Sequence, residues 1–374
     1  METASYKIEL RIDGVLIGDV SRLAQNLTWA RRRTKVGVDS IDFTLNDVLF
    51  AEWCEERNTD INTMIRPLAL DCRIVRNGIE VVGGFLATLP SYTPRGTSAD
   101  LAMHFDGYQN LLAGVYMYPV GTQTGAMGTL VSNWIQVAET RSSAAGKAFG
   151  FTQGTINALP SVTHTFDNYI SIKDAIANRC DNISGAGPFD VYWHPDRTYD
   201  VIKDSNFGHR IHDYIIDYPA RLTGVSATSI SAQEVSGFAS VVIGIGAGEI
   251  SAEAAKNTAI ITTQTNSASV DKYGYGEAIY QDSSISQLQT LEYNSQSELA
   301  RLSNPIWQPE TTLTGRQVNP QPEGNNKIWV GDTIEINNAE DLTGMTSGWF
   351  RVNELEVTRS ATGAESIRPI WERV

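Results

Sequence analysis

The sequence predicts a mainly β protein with an α+β insertion, in which two barrel-like antiparallel β-domains are linked by a small α+β lobe and a connecting helix. Three observations predict this fold class. Runs of alternating apolar and polar residues fill both ends of the chain, Asp-Gly and Asn-Gly turns join several of them, and short amphipathic helices occupy the middle. At 374 residues the chain is too long for one compact core, so we expect several domains.

The first predicted domain, a barrel-like antiparallel β-domain, covers residues 1–120. Tyr6–Ile12 alternates apolar and polar residues and is followed by Asp13-Gly14, and Asn77-Gly78 joins a later pair of strands. Both dipeptides suit type I′ turns, because the two central residues of such a turn need a positive φ. Residues 47–65 are predicted to be helical. The further strands predicted here are Leu27–Arg31, Ser40–Leu45, Cys72–Val75, Val81–Leu86 and Leu101–Tyr108.

The second predicted domain, residues 121–217, is the small α+β lobe. Ser171 is a plausible N-cap for its second helix, and Asp174 three positions later favours a helix N-terminus. Residues 141–168, which are rich in Gly, Ser and Ala, are predicted to be loop-like. The regular elements predicted for the lobe are the helices Gly128–Thr140 and Ser171–Arg179 and the strands Phe189–Trp193 and Thr198–Ile202.

Two further segments complete the predicted organisation. Residues 218–302 combine strands with a polar excursion over 251–272 and a linker helix over 284–302, which Pro305 ends. Residues 303–374 form the second barrel-like β-domain. Its predicted strands are Ile328–Val330, Thr333–Ile336, Trp349–Val357 and Ser366–Glu372.

The charge and the cysteines exclude several classes of function. A net charge of −14 argues against broad nucleic-acid affinity, because phosphate binding needs clustered Lys and Arg. Cys54, Cys72 and Cys180 are odd in number and widely spaced, so neither a disulfide framework nor a zinc knuckle is indicated. The first ten residues hold no apolar run of signal-peptide length, and we expect neither secretion by that route nor membrane insertion.

Two motifs could suggest a metal or a cofactor, and neither is convincing. His209 and His212 lie three residues apart, a spacing that puts two metal ligands on one helix face, but this segment is predicted to be strand and loop and lacks a third ligand. Gly244–Glu249 contains GxGxG, whereas a dinucleotide site needs GxGxxG at the start of a helix within a βαβ unit. We therefore predict no cofactor and no metal.

Catalytic residues are not predicted either. Asp190, Asp196, Asp200 and Asp204 lie near one hairpin and could supply the carboxylate pair of a glycosidase, but acids cluster by chance in so acidic a chain. No GxSxG nucleophile elbow is present. The protein is predicted not to be an enzyme.

The one basic cluster is the candidate interface. Arg31, Arg32, Arg33 and Lys35 are expected at or near the tip of a hairpin over 27–46. A docking patch for an acidic neighbouring subunit is the functional interpretation, and a solvated turn is the alternative. The eight tryptophans are spread over every segment, so most of them are expected to anchor local cores, with one or two at interfaces.

Four stretches of the sequence, in their order along the chain, resemble corresponding stretches of the tail-hub family of tailed bacteriophages. They are the opening hairpin Leu27–Arg31 with Ser40–Leu45, the pair Cys72–Val75 with Val82–Leu86, the Tyr-Gly segment Asp271–Glu277 before the helix Ser297–Leu302, and the closing stretches Val330–Ile336 and Trp349–Val352. The resemblance covers about half of the chain. It implies a structural part of the virion rather than an enzyme.

The resemblance also implies an assembly. It predicts a homotrimeric ring at the tail tip, assembled in the host cytoplasm. The two β-domains of each chain would give this ring six similar units, so that it could join a sixfold tube on one side to threefold tip parts on the other. The implied partners are the distal tail protein, the tape-measure protein and tip or receptor-binding proteins, with DNA only as passing cargo during genome ejection. Two alternatives remain open: a virion-associated or secreted glycan-binding protein that uses exposed tryptophan pairs, and a divergent glycosidase or peptidase.

Overall fold

The computed structural model describes residues 4–118, 121–166, 169–180, 188–219, 225–234, 238–248, 258–283, 285–303, 307–315, 317–339 and 347–374. Its architecture is mainly β, as predicted, with few helices and several sheets. None of the helices in these ranges combines the length and the hydropathy needed to span a membrane.

The N-terminal region consists of strands joined by tight turns. Asp13 and Gly14 have φ values of 51° and 81°, and Asn77 and Gly78 have 49° and 83°, so both predicted type I′ turns are confirmed. The predicted helix over 47–65 is split in two, because Asp60 caps a new helix with its side chain. The elements are β1 (Tyr6–Ile12), β2 (Val15–Asp19), β3 (Gln25–Arg32), β4 (Ser40–Asn46), α1 (Asp47–Glu55), α2 (Ile61–Met64), β5 (Leu70–Arg76), β6 (Ile79–Leu86), β7 (Ser91–Arg95) and β8 (Ser98–Gly107).

A 3₁₀-helix over Tyr108–Gly114 leads into the lobe. The two predicted helices and the predicted hairpin are confirmed. Residues 141–168 are not all loop, however, because two polar strands form there by pairing with distant partners. The elements of the lobe are β9 (Gly121–Ala126), α3 (Met127–Ala144), β10 (Thr152–Ile156), β11 (Ser161–Phe166), α4 (Ile172–Cys180), β12 (Phe189–Trp193) and β13 (Thr198–Lys203).

Beyond the lobe, short strands alternate with two helices. The predicted excursion over 251–272 lies outside the described residues at 251–257, and its later part forms a strand and a helix. The elements are β14 (Ile216–Tyr218), β15 (Val225–Ser226), β16 (Ser229–Glu234), β17 (Val241–Ile245), β18 (Ile261–Thr265), α5 (Ser267–Tyr273), β19 (Glu277–Gln281), α6 (Leu288–Leu302), β20 (Trp307–Thr314), β21 (Asn319–Pro320), β22 (Lys327–Ile328), β23 (Thr333–Asn338), β24 (Gly348–Arg359) and β25 (Glu365–Arg373).

The two terminal β regions are joined in one sheet. Its main path runs β15-β14-β23-β24-β3-β4-β8-β6-β5-β1-β2, and 15 strands belong to it in all. Strand β3 from the N-terminal region pairs with β24 from the C-terminal region, with Arg31 opposite Leu355 and Trp29 opposite Val357. The expectation of two barrels is therefore corrected: in the described residues no barrel closes, because β24 extends the sheet at β3.

The buried side chains follow the same arrangement. One large core contains residues of both terminal regions, among them Trp29 and Trp371, neither of which has measurable exposure. A second core fills the lobe around Trp134 and Trp193. A small third core lies between α6 and the sheet β18-β17-β19. The domain boundaries given above remain predictions.

Candidate functional site: an ionic junction between three regions

The basic run lies where the N-terminal sheet, the lobe and the C-terminal sheet meet. Arg31 and Arg32 end β3, and Arg33 to Lys35 continue into the turn before β4, so the predicted position near a hairpin tip is confirmed. Arg31 and Arg33 are covered by other parts of the chain, whereas Val36 at the tip is 41% exposed. We call the set Arg31, Arg33, Asp39, Asp190 and Asp204 the ionic junction.

Arg31 is almost fully buried and has polar partners on both sides. One guanidinium nitrogen lies 2.9 Å from a carboxylate oxygen of Asp39, and another donates a hydrogen bond of 2.7 Å to the backbone carbonyl of Trp193 in β12. The guanidinium also lies 4.8 Å from the ring centre of Tyr192, a cation–π distance. Arg31 thus ties β3 to the lobe.

Arg33 joins all three regions. Its side chain is 1% exposed, and its Nε donates to Asp190 of β12 at 2.8 Å. A second nitrogen pairs with Asp204, whose other carboxylate oxygen lies 2.5 Å from Arg351 of β24. A buried cation is tolerated only where such partners offset its desolvation, so this geometry depends on every member being present.

The protonation of the junction follows from these contacts. Burial alone would lower the pKa of Arg33, but the carboxylates of Asp190 and Asp204 outweigh it and raise that pKa. Burial would raise the pKa of Asp204, and the guanidinium groups of Arg33 and Arg351 outweigh it, so the pKa of Asp204 lies below its ordinary value. These contacts therefore favour the charged forms of Arg33 and Asp204, whereas burial raises the pKa of Asp39 although Arg31 lies beside it.

Arg32 and Lys35 are less deeply placed. Arg32 lies 2.7 Å from Glu354, and Lys35 lies 3.1 Å from Glu372. Arg31 and Arg33 therefore do not form the expected docking patch, because both are buried with partners inside the chain. A contact of Arg32 and Lys35 with a neighbouring subunit stays a prediction.

Two further buried ion pairs hold the same regions together. Arg197 of the lobe binds both carboxylate oxygens of Asp71 in β5, at 2.7 and 2.6 Å. Arg76 of β5 binds Glu365 of β25 at 2.7 Å. Sequence reasoning missed these pairs, whose partners are 126 and 289 residues apart, and the contact of Arg33 with Asp190, which is 157 residues away, because no local pattern links such partners.

The four acidic residues near the lobe hairpin have structural partners. Asp190 and Asp204 belong to the ionic junction. Asp196 accepts a hydrogen bond of 2.9 Å from the backbone N–H of Thr198 and so shapes the turn. Asp200 lies 2.7 Å from His194, and that hydrogen bond, outweighing burial, lowers the pKa of Asp200. The pKa values of Asp200 and Asp204 are thus lowered, whereas the general acid of a glycosidase needs a raised pKa to hold its proton.

The histidine pair and the GxGxG segment also lie outside the settings that a metal site or a dinucleotide site would need. His209 is 75% exposed on its side chain and lies 3.7 Å from Asp332, while the ring of His212 packs 5.3 Å from that of Trp349. Gly244 lies inside β17 and pairs with Thr262 of antiparallel β18, not at the start of a helix. Across the described residues, His, Cys, Asp and Glu side chains form no group of three that could hold a metal ion.

Aromatic side chains form a separate open cleft on the lobe. Tyr116, Tyr118 and Tyr169 are each more than half exposed, and the last two rings stack with their centres 6.1 Å apart. Arg141 donates a hydrogen bond of 2.6 Å to the backbone carbonyl of Tyr116 and so fixes the wall of the cleft. We call the cleft lined by these three tyrosines the tyrosine cleft, and its volume is about 690 Å³. The described tryptophans are mostly buried, as expected for core anchors.

Several solved structures with this architecture are tail proteins. The tail protein from Neisseria meningitidis MC58 superposes with a TM-score of 0.63 at 10% sequence identity, over 99% of this chain and 97% of that one. The 43 kDa tail protein of prophage MuSo2 from Shewanella oneidensis gives 0.63 at 12% identity, over 98% of both chains. The chain has the tail-protein fold. The predicted resemblance is thereby confirmed at the level of the fold.

The tail-protein fold extends to a third example. The prophage tail protein gp18 from Listeria monocytogenes EGD-e has a TM-score of 0.57 and 11% identity, over 97% of this chain and 94% of that one. No protein-family model matches the sequence. No curated protein matches it either. Near-complete coverage at such low identity means that the arrangement of strands, rather than particular surface residues, is what these chains share.

Proposed function

We propose that this protein is a structural component of a bacteriophage tail, without enzymatic activity. One observation carries the proposal: tail proteins from three bacteria share its fold over nearly the whole of both chains. The ionic junction suits such a role, because buried ion pairs between regions favour one relative arrangement of those regions. A part on which other proteins assemble needs a defined shape more than it needs a reactive group.

Within the tail, the proposed part is the hub at the tip. Three copies would form a closed ring that ends the tail tube and joins it to tip or receptor-binding proteins. Each copy carries an N-terminal and a C-terminal β region, so a trimer would present six β units to a sixfold tube. A cyclic ring of this kind needs a contact between two different faces of neighbouring copies, repeated around the axis.

The proposed location is the virion, at the tail tip, after assembly in the host cytoplasm. The proposed partners, besides two further copies, are the distal tail protein, the tape-measure protein and the tip proteins. DNA would pass through the ring during genome ejection without being bound. The net charge of −14 supports this, because like charges repel over roughly a Debye length, about 10 Å.

Light scattering on the purified chain, combined with size exclusion, tests the hub proposal. A mass three times that of the chain is expected, and labelling of virions with an antibody should place the protein at the tail tip. A stable monomer at micromolar concentration that also fails to bind a tail-tube protein would contradict the hub role.

In virions, neutral variants of acids facing the lumen of the ring should slow genome ejection and leave virion assembly unchanged.

Glycan binding is the second candidate function, and the tyrosine cleft favours it. Three exposed tyrosine rings offer flat apolar faces beside hydroxyl groups, which suits a sugar ring. Titration with soluble oligosaccharides, followed by tyrosine fluorescence, tests this candidate. Saturable binding that Tyr118→Ala and Tyr169→Ala both remove would favour it over the tail hub.

A further inference from the structure

A small pocket opens beside the basic run, between the turn after β3 and helix α4. It encloses about 170 Å³. Cavities on the order of 150 Å³ hold a molecule the size of benzene, so this pocket has room for one leucine or phenylalanine side chain. Its apolar walls are formed by Val36, Val38, Leu112, Ile176, Ala177 and Trp193. We call it the anchor pocket.

Gln109 contributes a buried polar side chain to the wall of the anchor pocket. Gln109 lines the pocket and is 5% exposed, and its amide nitrogen donates a hydrogen bond of 3.4 Å to the backbone carbonyl of Gly37. The side-chain oxygen of Gln109 is buried and has no hydrogen-bond partner among the described residues. A buried acceptor without a donor is costly.

The rim of the anchor pocket carries positive charge. The ammonium group of Lys173 lies 2.9 Å from the side-chain oxygen of Asn110, a neutral group, and within the described residues no carboxylate lies at ion-pair distance from it. Lys35 also lines the pocket, although Glu372 offsets its charge. An apolar anchor with a carboxylate next to it therefore complements both the walls and the rim.

A polar cleft of about 550 Å³ between α4 and α6 borders the anchor pocket, and Lys35 and Ala177 line both. Asn178, Ser297 and Arg301 line this cleft together with Glu298 and Glu372, and Arg301 pairs with Glu298 at 2.5 Å. Such side chains can exchange hydrogen bonds with an extended peptide backbone. One concavity for a side chain beside a polar groove for a backbone is the arrangement that recognises a peptide segment rather than a flat subunit face.

We propose that the anchor pocket docks an extended segment of a partner protein, with a leucine- or phenylalanine-sized side chain in the pocket and a carboxylate beside Lys173. The inference rests on the proposed function, in which the chain assembles with other tail proteins, and it names where one such contact is made. The occupant is an acidic, apolar-anchored segment of a different tail protein, because the ammonium group of Lys173 complements a carboxylate and the pocket has room for one apolar side chain.

Methyl NMR on the full chain tests this proposal with three short peptides. The probes are acetyl-Leu-Asp-amide, its neutral analogue acetyl-Leu-Asn-amide and its truncated analogue acetyl-Ala-Asp-amide. The Asp-containing leucine peptide should shift the methyl signals of Val38, Leu112 and Ile176 in a saturable manner, with a dissociation constant on the order of millimolar. The neutral analogue should bind about two- to fivefold more weakly, as expected for loss of an exposed ion pair.

Two variants and one control complete the test. Lys173→Met should make the Asp and Asn peptides bind equally, and Ala177→Leu, which fills the pocket, should abolish binding of both. Ala177→Ser, which leaves the pocket open, should bind as the original chain does. The truncated analogue should give no saturable shift, because it lacks the anchor.

Three results would overturn the proposal: no saturable shift up to about 50 mM peptide, equal binding of the Asp and Asn peptides to the original chain, or binding that survives Ala177→Leu. Light scattering separates these failures from failure of the hub role. If Ala177→Leu dissociates trimers while the peptides do not bind, the occupant is a second copy of the chain. If trimers persist and the peptides do not bind, the hub proposal stands without this site.

Discussion

At the scale of single residues, buried ion pairs connect the three regions of the chain. Arg33, Arg76 and Arg197 each reach a carboxylate in another region, and each is largely buried. Replacing such a pair with apolar residues can be neutral, but removing one partner leaves an uncompensated charge in the interior. Single substitutions in the ionic junction should therefore be far more damaging than substitutions in exposed pairs.

Arg33→Ala tests the ionic junction directly. We expect it to lower the free energy of unfolding by about 3–5 kcal/mol, because Asp190 would remain buried without its cationic partner. Arg95→Ala is the matched control, since Arg95 lies 2.6 Å from Asp100 but is 69% exposed; its cost should be below about 1 kcal/mol. Urea denaturation measures both. Equal costs for the two variants would show that the junction contributes no more than a surface pair.

The lowered pKa of Asp204 predicts a dependence of stability on pH. A carboxyl group with a depressed pKa in the folded chain contributes stability above its ordinary pKa of about 3.9, and that contribution is lost as the pH falls through the lower folded value. The difference in melting temperature between the original chain and Asp204→Asn should therefore be largest near pH 7 and shrink below about pH 4. Asp196→Asn, in an exposed turn, serves as control. A difference that stays constant down to pH 3 would contradict this assignment.

At the scale of elements, local signals determined the helices and tight turns well. Ser171 illustrates this, because its hydroxyl accepts a hydrogen bond of 3.0 Å from the backbone N–H of Asp174, as the N-cap prediction required. The polar strands β10 and β11 show the limit of such signals. Their residues lack an apolar alternation, and they become strands only by pairing with β13 and β9.

Ser171→Ala should lower the free energy of unfolding by about 1 kcal/mol, the usual cost of losing an N-cap. Ser171→Thr keeps a hydroxyl at the same position and should cost less. Thermal or urea denaturation of the three chains gives the comparison. If the threonine variant is as destabilised as the alanine variant, packing at this site rather than capping sets the cost.

At the scale of the whole molecule, the pairing of β3 with β24 makes the two ends of the chain one structural unit. Trp29 of β3 is fully buried, and its ring centre lies 6.2 Å from that of Trp329 in the C-terminal region. The small core between α6 and the sheet β18-β17-β19 is separate from this unit. Regions that share a core should open together, and a small satellite core should open more readily.

Hydrogen exchange followed by mass spectrometry tests this organisation. Peptides from β3 and β24 should exchange with similar, high protection, and Trp29→Ala should lower the protection of both strands together. Peptides from β17 and α6 should exchange faster in the original chain and be little changed in the variant. Loss of protection confined to β3 would instead indicate two β-domains that unfold independently.

Local sequence patterns predicted the mainly β class, the type I′ turns and the lobe with its capped helix and hairpin, because turn geometry and side-chain periodicity act between residues that are close along the chain. The order of stretches along the chain predicted the resemblance to tail-hub proteins. Three features became known from the folded chain: the terminal sheets join, Arg33 is buried, and an anchor pocket lies beside it. Those features depend on contacts such as Arg31 opposite Leu355, and pairing over so long a separation is set by packing rather than by local propensity.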